Sequence, residues 1–348
     1  MRRAALIFLA LAVGCSPAKT SRAQGPQAPP ASPPVAPPPG APRLALPLDC
    51  AVGVTCELQN NVDRDPGPGS KDYRCGHQTY EAHTGVDIRL LDLGAQRAGV
   101  NVLAAAAGRV TRLRDGVADI SIKTPGAPSV AGQECGNGVV IDHGQGWETQ
   151  YCHLAKGSVS VKQGDVVASG QPIARVGLSG NTEYPHLHLT VRQGGKVVDP
   201  FAPGLAANAC DANISASSGL WDGVTAKMLT YRRGVVLNAG FAAGPVSMDE
   251  VNAGGIATPG RTAQTMVAYV RAINLEAGDV QALVIIAPDG QVVAQSTMPA
   301  LDRSKAQYIM YVGKRAPAQG WPRGNHVATY TITRGGAVAL KRVFAVTL

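Results

Sequence analysis

Two series of short apolar runs, each broken by Gly-rich polar stretches, divide the chain. In the first, Val86–Arg89, Gly99–Ala104, Gly108–Arg114, Gly138–Asp142, Glu148–His153 and His186–Arg192 have strand length and predict a curled antiparallel sheet. In the second, from about Asn208, Val235–Leu237, Thr265–Arg271, Val280–Ala287, Tyr308–Val312, Val327–Thr333 and Val338–Val346 alternate or run apolar. Pro288-Asp-Gly290 and Arg334-Gly-Gly336 sit between such runs as hairpin turns, so this part reads as a β-sandwich. Between Pro17 and Pro47 the chain is rich in Pro and Ala and nearly uncharged, which predicts an extended tether. The expected fold class is all-β: a sheet domain over 49–205 and a sandwich over 206–348, preceded by a disordered tether over 16–48 and a signal segment over 1–15.

Composition agrees with many turns and short strands: 41 Gly and 25 Pro among 348 residues, with aromatics at 5%. A net charge of +8 is compatible with an acidic envelope polymer as partner. No Lys/Arg-rich run is interleaved with aromatics, which argues against nucleic acid. At the N-terminus Arg2 and Arg3 precede the apolar run Ala4 to Val13, too short for a mature membrane span and of the form of an export signal. Leu11-Ala12-Val13-Gly14-Cys15 resembles a bacterial lipoprotein box with Cys15 as the acylated residue, and Ser16 after it suits outer-membrane sorting. The expected location is therefore periplasmic, on a lipid anchor. Cleavage after Ala18 to give a secreted soluble protein is the alternative.

Export permits disulfides, and six cysteines remain once Cys15 is set aside. A hairpin through His143-Gly-Gln-Gly-Trp147 brings Cys135 near Cys152 and makes that pair the expected bridge. No Cys-x-x-Cys spacing points to zinc.

Chemistry concentrates in three short patterns: His83-Thr-Gly-Val-Asp87, Tyr151-Cys-His153-Leu154 and His186-Leu-His188. On extended strands, residues two or four apart share a face, so His83 with Asp87, and His186 with His188, are expected to point into one cleft. Two imidazoles and one carboxylate suit zinc, and three protein ligands leave a fourth position open, as in catalytic sites. Of the other histidines, His77 and His326 read as surface residues, and His143 lies in the hairpin turn.

The order of these patterns and their surroundings resemble the lysostaphin-type (LytM-type) zinc peptidase domain of bacterial cell-wall enzymes. The surroundings are Val140-Ile-Asp-His143-Gly-Gln-Gly146, Val161-Lys-Gln-Gly164-Asp, Val176-Gly-Leu-Ser-Gly180 and Pro185-His186. The resemblance is dense from about Thr79 to Phe201 and leaves out the tether and the C-terminal part. It implies that His83, Asp87 and His188 hold Zn²⁺, that His153 and His186 serve catalysis, that His143 has a structural role, and that the substrate is a peptide cross-link between peptidoglycan stem peptides. Relatives often have Glu where this chain has Thr190, which implies the loss of a hydrogen bond beside the metal. A non-catalytic regulator that activates a cell-wall amidase, and an envelope-binding module built on the sandwich, are the competing functions.

Overall fold

The computed structural model describes residues 38–206, 208–215 and 218–348. The signal segment, Cys15 and the tether up to residue 37 lie outside the described residues. No helix among the described residues is long and apolar enough to cross a membrane.

In the first half, β1 (Cys56–Asn60) and β2 (Val86–Leu90) precede the short helix α1 (Leu93–Ala98). There follow β3 (Asn101–Leu103), β4 (Gly108–Arg114), β5 (Asn137–Gly144), β6 (Trp147–Leu154), β7 (Val166–Val167), β8 (Pro172–Arg175), β9 (His186–Gln193) and β10 (Lys196–Val198). Eight of these strands form one antiparallel sheet in the order β1-β2-β9-β6-β5-β4-β7, with β10 on the free part of β9, while β3 and β8 form a separate ribbon. All six apolar runs expected here are strands. The centre of the sheet carries Ile88, Leu189, Tyr151 and Ile141 on its packed face, all fully buried.

β1, β8 and β10 are not among the expected strands. β1 reads Cys-Glu-Leu-Gln-Asn and is buried at every position, so its polar residues are held by partners: Arg232 on Glu57, Arg89 on Gln59 and Asp87 on Asn60. An alternation test finds no such strand, because its burial rests on hydrogen bonds rather than on apolar side chains.

The expected boundaries also shift. Leu44 and Leu48, placed in the tether, are buried in the first core, and the backbone at Leu44 and Ala45 hydrogen-bonds Leu220 and Ala105. Leu220, Trp221, Ala226 and Leu229 pack into the same core, so the stretch 218–229 belongs to the first domain rather than to the sandwich. That stretch contains α2 (Gly223–Met228), capped by Asp222. The Cys75–Cys210 disulfide closes a loop of 135 residues and ties the chain shortly before this stretch to the loop before His83. In the chain-entropy picture a loop of that size removes about 5 kcal/mol of unfolded-state freedom.

The second half begins with β11 (Val235–Ala242), α3 (Met248–Ala253) and β12 (Thr265–Leu275). It continues through β13 (Val280–Ile286), β14 (Val292–Thr297), β15 (Lys305–Arg315), β16 (Asn325–Arg334) and β17 (Ala337–Thr347). Sheets β11-β12-β15 and β14-β13-β16-β17 enclose one core. Period-two burial is plain along β16 (Ala328, Tyr330, Ile332), the pattern that a sandwich requires, while β12 is buried on both faces and gives alternate residues (Met266, Ala268, Val270, Ala272) to this core. Pro288-Asp-Gly290 turns β13 into β14, and Gly335-Gly336 turns β16 into β17. The two halves meet along β1 and β2: Asn274 Nδ2 donates to the Gln59 carbonyl at 3.1 Å, and Leu91 packs on Val235, Leu237 and Ile273.

Candidate metal centre and the cleft around it

Strand pairing brings the three patterns together. On β2 and β9 Asp87 stands opposite His188, and Arg89 opposite His186. β6 lies on the other side of β9, with Cys152 opposite His188. His186 and His188 share one face of β9, as expected. His83 does not lie on a strand: it follows a turn in which its N–H donates to the Tyr80 carbonyl and Ala82 has φ 59°. Loop curvature, not strand alternation, aims it at Asp87. Gly85 is needed between them, since a Cβ there would come within 2.6 Å of His188 Nε2 and of the Leu189 carbonyl oxygen.

The three candidate ligand atoms converge tightly. His83 Nε2 lies 3.1 Å from Asp87 Oδ1 and 3.1 Å from His188 Nδ1, and His188 Nδ1 lies 2.9 Å from Asp87 Oδ1. The carbonyl of Asn61, which can only accept, takes the Nδ1–H of His83 at 2.7 Å. In the neutral ring the Nε2 lone pair therefore faces a carboxylate oxygen and a second imidazole. Thr190 Oγ1 lies 3.0 Å from His188 Nε2 and can accept its hydrogen, which turns the Nδ1 lone pair inward as well. Three acceptors crowded together call for a cation. Zinc bonds of about 2.0–2.1 Å in a tetrahedron separate ligand atoms by about 3.3 Å, close to what is seen. The donor set thus fits the ion. The hydrogen bond expected to be lost at Thr190 is made, by the threonine hydroxyl itself.

His153 and His186 line the same cleft without joining the three-atom cluster. Their rings are 4.7 Å apart. His153 Nδ1–H donates to the Ser179 carbonyl at 2.8 Å, and His186 Nδ1–H donates to the Tyr184 carbonyl at 2.9 Å with Thr182 Oγ1 at 3.1 Å. Each ring is thereby fixed in one tautomer with Nε2 left free of these carbonyls. His153 has φ 63°, a left-handed conformation at a register shift in the β5–β6 ladder. That kink turns the side chain out of the ladder's alternation, a local strain of the kind found at functional positions. The adjacent Cys135–Cys152 disulfide, the pair expected from the hairpin, braces the kink. The other bridges are Cys50–Cys56 and Cys75–Cys210.

Charge follows burial and neighbours. For Asp87, burial pushes the carboxyl up, but the His83 and His186 rings and hydrogen bonds from His188 and His83 hold it well below the usual carboxylate range. Burial would lower His83, and the Asp87 charge and hydrogen bond reverse this and raise it. Burial holds His153 well below the ordinary imidazole value, helped by His186 and His188, and burial likewise lowers His186 against the pull of Asp87. These two rings are neutral bases at neutral pH.

Sequence reasoning missed the supports. Asn60 Nδ2 donates to Asp87 Oδ2 at 2.8 Å, which leaves Oδ1 for the cluster, and it also reaches Tyr184 Oη at 3.2 Å. Tyr184 lies under the Arg89 guanidinium at 3.9 Å and against His186 at 5.0 Å. Backbone carbonyls of Asn61, Ser179 and Tyr184 do the orienting, and a carbonyl leaves no trace in residue type. His143 is structural, its nitrogens on the Ala107 carbonyl and Thr149 Oγ1, and His77 is exposed. His326, expected on the surface, is fully buried beside Trp321.

A cavity of about 190 Å³ along Tyr80, Gln150, His153 and His188 lies on one side of the cluster. Another of about 380 Å³ lies on the other, along Asp87, Tyr184, His186 and Ile122, and β15 of the sandwich closes it with Ala306 and Gln307. Tyr80 and Asn181 border both, so the centre sits in the floor of an extended groove.

Residues 81–200 match peptidase family M23. The match covers about a third of the chain. The peptidoglycan DD-endopeptidase ShyB of Vibrio cholerae is 39% identical over 79 residues, 21% of this chain and 18% of its own length. ShyA, a second peptidoglycan DD-endopeptidase of that organism, is 39% identical over 101 residues, 28% of this chain and 20% of its own. The murein hydrolase activator EnvC of Escherichia coli is 42% identical over 62 residues, 18% of this chain and 14% of its own. The chain thus spans a fifth or less of each of these relatives. All 120 matched residues, and hence all five candidate site residues, fall in the first domain.

Proposed function

We propose that the protein is a zinc-dependent endopeptidase that hydrolyses peptide cross-links of bacterial peptidoglycan. The observation that carries this reading is the convergence of His83 Nε2, Asp87 Oδ1 and His188 Nδ1 within 3.1 Å of one another, beside two neutral imidazoles in an open groove. The M23 match and the two DD-endopeptidase relatives support the substrate class.

His83, Asp87 and His188 would hold the ion, which when bound supplies Lewis acidity to a water or a peptide carbonyl. His153 and His186, anchored through Nδ1–H, present basic Nε2 atoms to the groove. Either can take a proton from the attacking water and return it to the leaving amine. Once protonated, an imidazolium there stabilises negative charge on the carbonyl oxygen. Asn60 keeps Asp87 turned inward, and the groove on both sides admits an extended peptide.

Digestion of purified peptidoglycan by the mature protein, with and without chelator, tests the proposal by mass analysis of products. The expected result is loss of dimeric muropeptides that chelator prevents and added zinc restores. Intact dimers with zinc-loaded protein would reject it. A second reading, an activator of a separate cell-wall amidase, is favoured by the EnvC match. It predicts no cleavage alone and a faster amidase on mixing. An envelope location, with a lipid anchor on Cys15, belongs to the same proposal and is tested by labelling cells with a fatty-acid analogue.

A further inference from the structure

Between the two domains, behind Tyr184 as seen from the groove, two arginines are buried with no acidic hydrogen-bond partner among the described residues. Arg89 of β2 is 1% exposed and Arg271 of β12 is 0% exposed. Arg89 donates to Gln59 Oε1 at 2.8 Å, to Gln307 Oε1 at 3.1 Å and to Asn252 Oδ1 at 3.5 Å, and its Nε has no partner. Arg271 donates to Asn238 Oδ1 at 2.8 Å, to Asn252 Oδ1 at 3.3 Å and to the Leu91 carbonyl. Every one of these acceptors is neutral. Other arginines of the protein, Arg64, Arg232, Arg233 and Arg334, have carboxylate partners. One amide oxygen, that of Asn252, is shared by both guanidinium groups at long distances.

Neutral oxygens, the Tyr184 ring on Arg89 and the more distant charges of Glu183 and Asp92 leave much of the lost hydration of two like charges uncompensated. Desolvation lowers both arginines, Arg89 to about 10 and Arg271 to about 9, and Arg89 further lowers Arg271. Both line a cavity of about 300 Å³, with the hydroxyl-bearing Ser121 and Thr124 on its wall. At its edge Lys123 and Glu183 pair at 3.1 Å and offset one another, and Asp249 is exposed. This cavity shares Glu183, Tyr184 and Gln307 with the groove cavity beside His186.

We propose that the interdomain cavity is a binding site for an oxyanion, a carboxylate or phosphate group, held by Arg89 and Arg271. Guanidinium groups match such anions geometrically as well as in charge. Two sources supply that chemistry: a carboxylate of the peptide lying in the groove, which rests on the peptidase reading, or a free inorganic anion, which does not.

The test is calorimetric titration of inorganic phosphate into the full-length protein at constant ionic strength, zinc-loaded and chelator-treated. Phosphate held by the metal centre is lost with chelator. Phosphate held by the arginines persists, and Arg271→Gln weakens it by at least about tenfold, the loss expected for a charged hydrogen-bonding partner. Lys123→Glu, at an exposed position, weakens it several-fold by repulsion and guards against a folding defect in the first variant. No saturable binding to chelator-treated wild type, or equal binding to Arg271→Gln, overturns the proposal. In the zinc-loaded enzyme, a rise in KM with phosphate that Arg271→Gln removes identifies the occupant as a substrate carboxylate. Binding with no such rise identifies a free anion. Because the chelator-treated titration needs no turnover, its failure is separable from failure of the peptidase reading.

Discussion

The first domain and the sandwich bury different things. Inside the sandwich the core is apolar and period-two, and among its strand positions His326 is the one buried imidazole. Inside the first domain His83, Asp87, His153, His186, Thr190 and Asn60 are all buried on one side of the sheet. A packed core of leucines and valines sits on the other side. The sandwich spends its burial on stability. The sheet of the first domain uses one face for stability and gives the other to polar groups, each anchored by a named carbonyl, hydroxyl or amide. Where buried polar groups are this numerous and this well oriented, chemistry is the economical explanation.

The largest expected effect separates the two regions outright. His83→Ala, Asp87→Ala or His188→Ala should remove stoichiometric zinc, measured by elemental analysis, and abolish cleavage. Zinc retained at one equivalent in any of them would break the assignment of that ligand. Next, His153→Ala or His186→Ala should lower kcat by roughly 10² to 10⁴ while zinc content stays at one equivalent, since general acid–base groups contribute about that much. Loss of zinc in these variants would merge the two roles.

The sandwich supplies the contrast. Ile285, fully buried on β13, cut to Ala should cost about 2–5 kcal/mol in denaturant unfolding and leave zinc stoichiometry unchanged. A variant that lost zinc as well would couple the halves more tightly than the cores suggest.

A smaller effect concerns Asp199, which lies fully buried with one oxygen on the Phe201 N–H and the other 3.5 Å from Arg64. Burial pushes this carboxyl up to about 6. A folded value above the unfolded one means that its contribution is full below about pH 4 and is lost as pH rises through about 6. The size is on the order of 3 kcal/mol at most, at 1.36 kcal/mol per unit. Asp199→Asn should flatten the stability–pH curve between pH 4 and 6, read by thermal melts across that window. An unchanged slope would show that the carboxyl titrates normally.

Strand-length apolar runs were enough to expect β2 to β6, β9 and most of the sandwich, because burial on one face imposes a period that side-chain type records. The candidate triplet was expected through the resemblance: each short His/Asp spacing is weak taken singly, and the order of the motifs is what picks out His83, Asp87 and His188 rather than the other histidines. β1 and the segment around Trp221 were not legible. Their burial rests on partners from other segments, Arg89 for Gln59 nearby and, more than a hundred residues away, Arg232 for Glu57 and Leu44 for Trp221.

Residue identity alone told which side chains could ligate, where most of the strands form and that the chain is almost all β. It took the folded chain to swing His83 in from a loop, to kink His153 through a left-handed backbone, and to choose tautomers by carbonyl placement. It also took the fold to press two uncompensated arginines together beside the groove. The reason is physical: chemical type is carried locally by each residue, whereas position, desolvation and lone-pair direction arise from contacts between segments far apart in the chain.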